Sequence, residues 1–188
     1  MVQTAVYRSI LIHSALRIES AGLPITFLLG FYVSLVVKRW WEQFSKLPWP
    51  DTIAIYLKGL LEGAPGVERV RARVIRRTII RYLLLAYILC IRRNSSRLSK
   101  RFPNMVTLVK TGIIRKDEAM RIGDEESRTM YGSKWWIPIK WAIEVLNTAK
   151  REKFITNAPG FSHLLGRLSE FRRGLTEVAS YGYLPGTD

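Results

Sequence analysis

A run of fifteen uncharged residues, LPITFLLGFYVSLVV from Leu23 to Val37, is the feature that most constrains how this chain can fold. Glu19 precedes the run and Lys38 follows it directly. A helix needs roughly 20 apolar residues to cross a bilayer, so the run is slightly short unless the two preceding residues join it and neighbouring subunits shield its ends. With those residues included, the sequence predicts a transmembrane helix over residues 21–41.

The end of this helix carries the residues expected at a membrane boundary. Lys38 and Arg39 are followed directly by Trp40 and Trp41. Amphipathic aromatic rings beside basic side chains are typical of the cytoplasmic water–membrane interface, so these four residues are predicted to be interface anchors. The basic end then faces the cytoplasm, where Cys90 stays reduced and where most of the chain is expected to lie.

The interior of the run differs from that of a plain lipid-facing helix. Pro24 removes a backbone hydrogen-bond donor, and Gly30 permits the close approach of another helix. Thr26 and Ser34 supply hydroxyls that can bond back to the main chain. Pro24 and Gly30 are therefore predicted to shape the packing of this helix.

Three bulky side chains recur every four residues along the run. Leu23, Phe27 and Phe31 lie on one helix face, each about 6 Å further along the axis. Repeated by symmetry around an axis, they would form three apolar rings that gate by dewetting, and the electropositive ring edges of phenylalanine would face a passing anion. The spacing alone favours the simpler alternative, in which the three side chains pack against a neighbouring helix.

The rest of the chain is basic yet apolar. Lys and Arg number 30 against 15 acids, for a net charge of +15, while 48% of the residues are hydrophobic. A polyanion, an anionic lipid surface or small anions could match this charge. The arginine cluster from Arg69 to Arg81 would suit a basic nucleic-acid-binding protein, but it lacks the neighbouring aromatic residues of a stacking platform. This function is therefore the less favoured alternative, and we predict no nucleic-acid partner.

Beyond the apolar run, helical spacing dominates and no stretch alternates as a strand would. The sequence predicts an all-α fold, with an amphipathic or remnant segment over residues 1–20, a helical region over 42–177 and a separate tail over 178–188. Asp51 or Thr52 is expected to cap the first helix after the membrane. The expected helices cover residues 52–62, 67–97, 104–111, 116–122, 137–153 and 161–179.

The sequence offers no enzyme site and no metal site. It contains none of the motifs GxGxxG, GxSxG or HExxH, nor a P-loop. One cysteine and two distant histidines, His13 and His163, do not make a zinc set. Asp124, Glu125 and Glu126 are adjacent, but they lack the spaced oxygen ligands and the turn glycine of a calcium loop. The sequence predicts a protein that is not an enzyme and holds no cofactor of its own.

Four segments resemble the bestrophin chloride channels, in the family's order. The most specific is GFYVSLVVKRWWEQFSKLPWPD, from Gly30 to Asp51. RRTIIRY at Arg76 to Tyr82 and KRFPNMVTLVKTGI at Lys100 to Ile113, with its RFP triplet, continue the likeness, and WWIPIKWA at Trp135 to Ala142 is weaker. The resemblance covers Leu23 to Ala149 well.

The resemblance implies a pentameric, calcium-activated channel that passes chloride and other small anions through the plasma membrane. Its second membrane helix lines a narrow neck and continues into a cytosolic helical vestibule. Carried over by position, Leu23, Phe27 and Phe31 match the neck residues, and the basic residues after Lys38 would line a positive vestibule. A single arginine of that region is more often solvated or salt-bridged than exposed to the ion path.

This sequence departs from the family's pattern in two respects. The further membrane helices of the family and the acidic cluster that binds Ca²⁺ are absent, and the tail from Val178 to Asp188 diverges where the next membrane helix would begin. The expected product is therefore a partial chain. It would act either as a conducting subunit in a homo-oligomer or as a non-conducting form that co-assembles with full-length subunits and regulates them.

Overall fold

The computed structural model describes residues 25–61, 63, 65–128 and 134–180, and for residues 124–128 it describes the backbone alone. Within these residues the regular structure is entirely helical, which confirms the predicted all-α class. The helices are α1 Ile25–Ser45, α2 Asp51–Leu60, α3 Val67–Ile91, α4 Ser96–Arg101, α5 Met105–Lys110, α6 Lys116–Arg128, α7 Ile137–Arg151 and α8 Ala158–Ser180.

The chain divides after Ser45 into two compact units. The described part of the first unit is α1, which holds most of the apolar run and none of whose residues is buried. None of the helices, over the residues that the structure describes, combines the length and the apolarity of a membrane span. The predicted segment over residues 1–20 and the first residues of the predicted span lie outside the described residues, as does the tail beyond Ser180.

The second unit is built around α3 and α7, which form its most extensive helix pair. Ile79 and Leu83 of α3 and Leu146 of α7 are fully buried where these helices meet. Helices α2 and α8 close the same core, to which α2 contributes Leu57 and α8 contributes Leu164. Apolar side chains at helical spacing thus produce one bundle core, as the pattern of the sequence predicts.

A second, smaller core joins the short helices to the bundle. Phe102 of the RFP triplet is buried there, together with Leu108 of α5 and Ile122 of α6. Leu85 of α3 and Trp141 of α7 complete it from the bundle side. The triplet is therefore a packing element that fixes α5 and α6 on the outside of the α3–α7 pair.

The predicted helix over residues 67–97 is wrong at its C-terminal end. Helix α3 ends at Ile91, a turn follows over residues 92–94, and Ser95 caps α4 by accepting a hydrogen bond from the backbone amide of Leu98. Asn94 in this turn donates to the carbonyl of Val178, 2.9 Å away in α8. The break thus combines a local cap at Ser95 with a hydrogen bond between residues 84 positions apart, and helical spacing reveals neither of them.

Most other predicted boundaries agree with the structure to within three residues. Asn104 caps α5 by accepting from the Thr107 amide at 3.0 Å, and Gly112 ends that helix region in the left-handed conformation at φ +73°. The predicted cap at Asp51 or Thr52 is wrong, because α2 begins at Asp51 itself after Pro50 and has no side-chain cap. Gly63 is also left-handed, and a Cβ atom there would lie 2.9 Å from the Glu68 carbonyl oxygen, so the α2–α3 turn needs glycine.

Cys90 is buried, as its apolar surroundings predict. Its thiol donates to the carbonyl of Leu175 in α8 at 3.3 Å. Burial raises the pKa of this thiol to about 11. The thiolate, which is the reactive form, is therefore scarce, and Cys90 serves as packing between α3 and α8.

The core predicts different costs for two truncations on the same helix. Leu83→Ala should lower the free energy of unfolding by about 2–5 kcal/mol, because it removes a fully buried side chain and leaves a cavity. Val70→Ala, at a side chain that is 59% exposed, should change it by less than about 0.5 kcal/mol. Denaturant unfolding followed by circular dichroism measures both, and equal costs would contradict the assignment of α3 as the central helix.

Candidate functional site

The structure places two of the three predicted neck residues on one face of α1. The rings of Phe27 and Phe31 lie 5.4 Å apart between centroids and are tilted by 55°. Both are exposed, by 62% and 60%. A Cβ atom added at Gly30, beside them, would meet nothing within 4 Å. Leu23 and Pro24, the other predicted residues of this stretch, lie outside the described residues.

The predicted interface anchors lie two to three turns further along the same helix. Trp40 and Trp41 are each 59% exposed, and both contact the ring of Phe44, at 5.7 and 5.9 Å between centroids. Lys38 and Arg39 directly precede this aromatic group and are exposed as well. Helix α1 therefore carries an apolar stretch with an aromatic and basic group at its C-terminal end, and the role of this group at a membrane interface stays a prediction.

An ion pair between the buried Glu118 and the half-buried Arg81 in the second unit holds α6 on α3. The two terminal guanidinium nitrogens of Arg81 donate to the carboxylate of Glu118, at 2.6 and 2.7 Å, in a bidentate arrangement. The hydroxyl of Tyr82 donates to the same carboxylate at 2.8 Å, and the backbone amide of Arg115 at 2.9 Å. Arg81 also donates to the carbonyl of Ile113 at 3.1 Å. The carboxylate is thus fully partnered, as a buried charge requires.

This environment changes how Glu118 titrates. Burial alone would raise the pKa of the carboxyl group, but the hydrogen bonds from Arg81, the Arg115 amide and Tyr82 outweigh it and lower the pKa from 4.5 to about 2. The same contact raises the pKa of Arg81, while burial raises that of Tyr82. The pair therefore stays ionised at any physiological pH, which makes it a structural anchor and not a proton carrier.

Glu118 was not singled out by the sequence. It lies in the first turn of α6, next to Asp117, in a chain where acids are few. Its partners Arg81 and Tyr82 are the last two residues of the RRTIIRY segment, so the end of this segment holds the carboxylate. An acid some 36 residues from a basic and aromatic pair carries no local signal of that contact.

Several basic residues that the resemblance assigns to a vestibule have partners within the fold. Arg71 forms an ion pair with Glu152 at 2.7 Å, and Arg76 donates to the carbonyl of Leu61. Arg92 donates to the carbonyl of Phe102 at 3.2 Å. Arg121 lies over the Trp141 ring, 5.1 Å from its centroid. These cations position helices, so only part of the positive charge is available for anions.

The described residues hold no cluster of three or more His, Cys, Asp or Glu side chains that could bind a metal ion. Asp124, Glu125 and Glu126 belong to α6, but their side chains lie outside the described part of the chain.

Removing one partner of the buried pair should be costly. Glu118→Gln leaves the Arg81 guanidinium without a countercharge, and we expect it to lower the free energy of unfolding by about 3 kcal/mol. Glu170→Gln is the matched control, because it breaks an exposed ion pair with Arg167 and should cost about 0–1 kcal/mol. Denaturant unfolding of both variants tests this, and a cost for Glu118→Gln no larger than for Glu170→Gln would contradict it.

The low pKa of Glu118 also predicts a pH dependence. A carboxyl whose pKa is lower in the folded than in the unfolded chain stabilises the fold above its unfolded pKa, and this stabilisation is lost as the pH falls through the folded pKa. For Glu118 the loss should occur between pH 4.5 and about 2. The stability difference between the natural chain and Glu118→Gln, measured by unfolding at several pH values, should therefore shrink across this window. A constant difference would show that the carboxylate is not held in this way.

The sequence is similar to one protein family over nearly its whole length. The family profile described as "Bestrophin, RFP-TM, chloride channel" matches residues 2–185. The chain is 32% identical to human Bestrophin-3 over 162 residues, which are 86% of this chain and 23% of that protein. It is 35% identical to mouse Bestrophin-2 over 162 residues, covering 86% of this chain and 30% of that protein.

A nematode relative is more similar in sequence. Bestrophin homolog 13 of Caenorhabditis elegans is 37% identical over 167 residues, which are 86% of this chain and 38% of that protein. The chain thus spans between about a quarter and two fifths of the length of these relatives. Since the family profile covers nearly the whole of it, the chain belongs to the bestrophin family.

Proposed function

We propose that this chain is a subunit, or part of a subunit, of a chloride channel in which α1 lines the anion path. Family membership supports a function of the chloride-channel type and a transport role in place of an enzymatic one. The observation that carries the assignment to α1 is its exposed stripe. Phe27 and Phe31 lie in contact on one face of a helix without a single buried residue.

A helix of this composition needs apolar surroundings that α1 does not supply for itself. Large apolar side chains are exposed along its length, among them Leu28, Val33, Leu35 and Val36. Exposed apolar patches of this extent are characteristic of surfaces that meet lipid or another protein. In a ring of subunits the phenylalanine stripe would face the axis and the remaining faces would meet neighbouring subunits and lipid.

The charges favour an anion over a cation as the permeating species. The ring edges of Phe27 and Phe31 are electropositive, and the chain carries a net charge of +15. Lys38 and Arg39, at the cytoplasmic end of the proposed span, would concentrate chloride at the entrance. Under this proposal the protein lies in the plasma membrane as an oligomer, a pentamer by family likeness, with the second unit on the cytoplasmic side. No calcium ligand is assigned to this chain.

A second candidate function is regulation of full-length subunits. The chain covers 38% or less of the relatives described above, while it retains α1 and the helical unit after it. A chain that keeps the assembly surfaces could enter a mixed oligomer without forming a complete pore. Co-purification with a full-length bestrophin, combined with an absence of chloride flux by the chain alone, would favour this function over the first.

The pore assignment predicts a specific effect of shortening the stripe. Chloride flux into liposomes that contain the purified chain, or currents of its co-assembly with a full-length bestrophin, should change in rate or in anion preference when Leu23, Phe27 and Phe31 are all replaced by alanine. The apolar rings that gate by dewetting would then be wider and less hydrophobic.

The matched control lies on the opposite face of the same helix. Leu29→Ala combined with Val33→Ala removes two exposed apolar side chains that are also one turn apart, about half a turn from the stripe. This variant should leave flux and selectivity close to those of the natural chain. Unchanged currents after loss of the stripe, or equal effects of both variants, would defeat the proposal.

A further inference from the structure

The second unit contains a groove whose ends differ in chemical character. It has a volume of about 500 Å³ and is bounded by α2, α3 and the turn after α5. Lys58, Arg76 and Arg77 lie at one end, and Ile80, Leu84 and Ile88 continue from there along α3. The volume is within the range of small-molecule sites, roughly 300–1,000 Å³.

The arrangement follows from the register of α3. Arg77, Leu84 and Ile88 share one face of the helix, because they are separated by seven and four residues. From Arg77 to Ile88 this face is about 16 Å long. A cation thus stands at one end of a single row of apolar side chains. Leu84 is 42% exposed although most of α3 around it forms the core, so this apolar row is open to a ligand.

The cations at the basic end are not equally available. Arg76 donates to the Leu61 carbonyl, and Arg81 is neutralised by Glu118. Arg77 has no ion pair among the described residues, and none of the described residues that line the groove is acidic. The planar guanidinium of Arg77 can hold a carboxylate head group through two parallel hydrogen bonds, and Lys58 adds a second positive charge to the lining of the groove.

We propose that this groove binds a single-chain fatty carboxylate, with the head group on Arg77 and Lys58 and the chain along Ile80, Leu84 and Ile88. A single row of side chains accommodates one acyl chain and not the two of a membrane phospholipid. Gly112, in the turn after α5 that forms the third side of the groove, has free space beside it, since a Cβ atom there would meet nothing within 4 Å. This site is separate from the neck residues and does not depend on conduction by α1.

A photoreactive dodecanoate with a diazirine at the chain end tests the proposal directly. The full chain, reconstituted in zwitterionic lipid, is irradiated with the probe and digested with trypsin. Cleavage after Arg81 and Arg92 releases Tyr82 to Arg92, the peptide that contains Leu84 and Ile88. We expect the label in this peptide, with competition by unlabelled dodecanoate and none by dodecyltrimethylammonium.

Variants separate the two ends of the site. Arg77→Gln should reduce labelling about tenfold or more, because it removes a charge-assisted hydrogen bond to the head group. Arg69→Gln removes the same charge from an exposed position of the same helix outside the groove and should leave labelling at the natural level. Leu84→Glu should abolish labelling by placing a like charge in the path of the chain, whereas Leu84→Met should retain it.

Four results would overturn the proposal. The first is label outside this peptide, and the second is equal loss in Arg77→Gln and Arg69→Gln. The third is stronger competition by dodecyl phosphate or by a two-chain anionic lipid than by dodecanoate. The fourth is a groove that a second copy of the chain already covers. In that case a cysteine introduced by Leu84→Cys would not react with a thiol reagent even when no fatty acid is present. Cys90 is buried and gives little background in that measurement.

Discussion

The packing of α3 against α7 is the contact on which the second unit depends. Leu83 and Leu146 are fully excluded from solvent there, and the other helices attach to this pair in two places. Helices α2 and α8 complete the main core, while Phe102 and α6 form the smaller one. Because α3 also carries Arg81 and the groove row from Arg77 to Ile88, the helix that forms the core also sets the positions of the charged groups.

The fold was largely predictable from the sequence because apolar residues recur at helical spacing throughout. Helices α2, α5, α7 and α8 begin and end close to the predicted residues. The break after Ile91 was missed because the apolar spacing continues through it, although Ser95 is a favoured N-cap residue. The bond between Asn94 and Val178 and the pairing of Glu118 with Arg81 were not predictable from local pattern. The periodicity of apolar residues predicts where helices form, but it does not predict which side chains far apart in the chain bond to each other.

The candidate pore site was predictable in a different sense. The four-residue spacing of Leu23, Phe27 and Phe31 gives one helix face, and the contact between the two phenylalanine rings agrees with that face. The spacing does not show whether this helix face packs against another helix or lines an ion path, because bulky apolar side chains at four-residue spacing suit both. Sequence alone also does not show which basic residues have partners. Arg71 pairs with Glu152 and Arg92 donates to the Phe102 carbonyl, whereas Arg77, in a similarly basic segment, has no ion pair among the described residues.

The hydrogen bond between Asn94 and the Val178 carbonyl gives the end of α8 a mechanical connection to the RFP triplet. The turn that contains Asn94 leads directly into α4 and Phe102, and Arg92 of the same turn holds the Phe102 carbonyl. A displacement of the end of α8 would therefore reach the Phe102 segment through this hydrogen bond, as well as the main core through Leu175. The end of α8 is thereby coupled to both cores of the second unit, to one by packing and to the other by a single side-chain hydrogen bond.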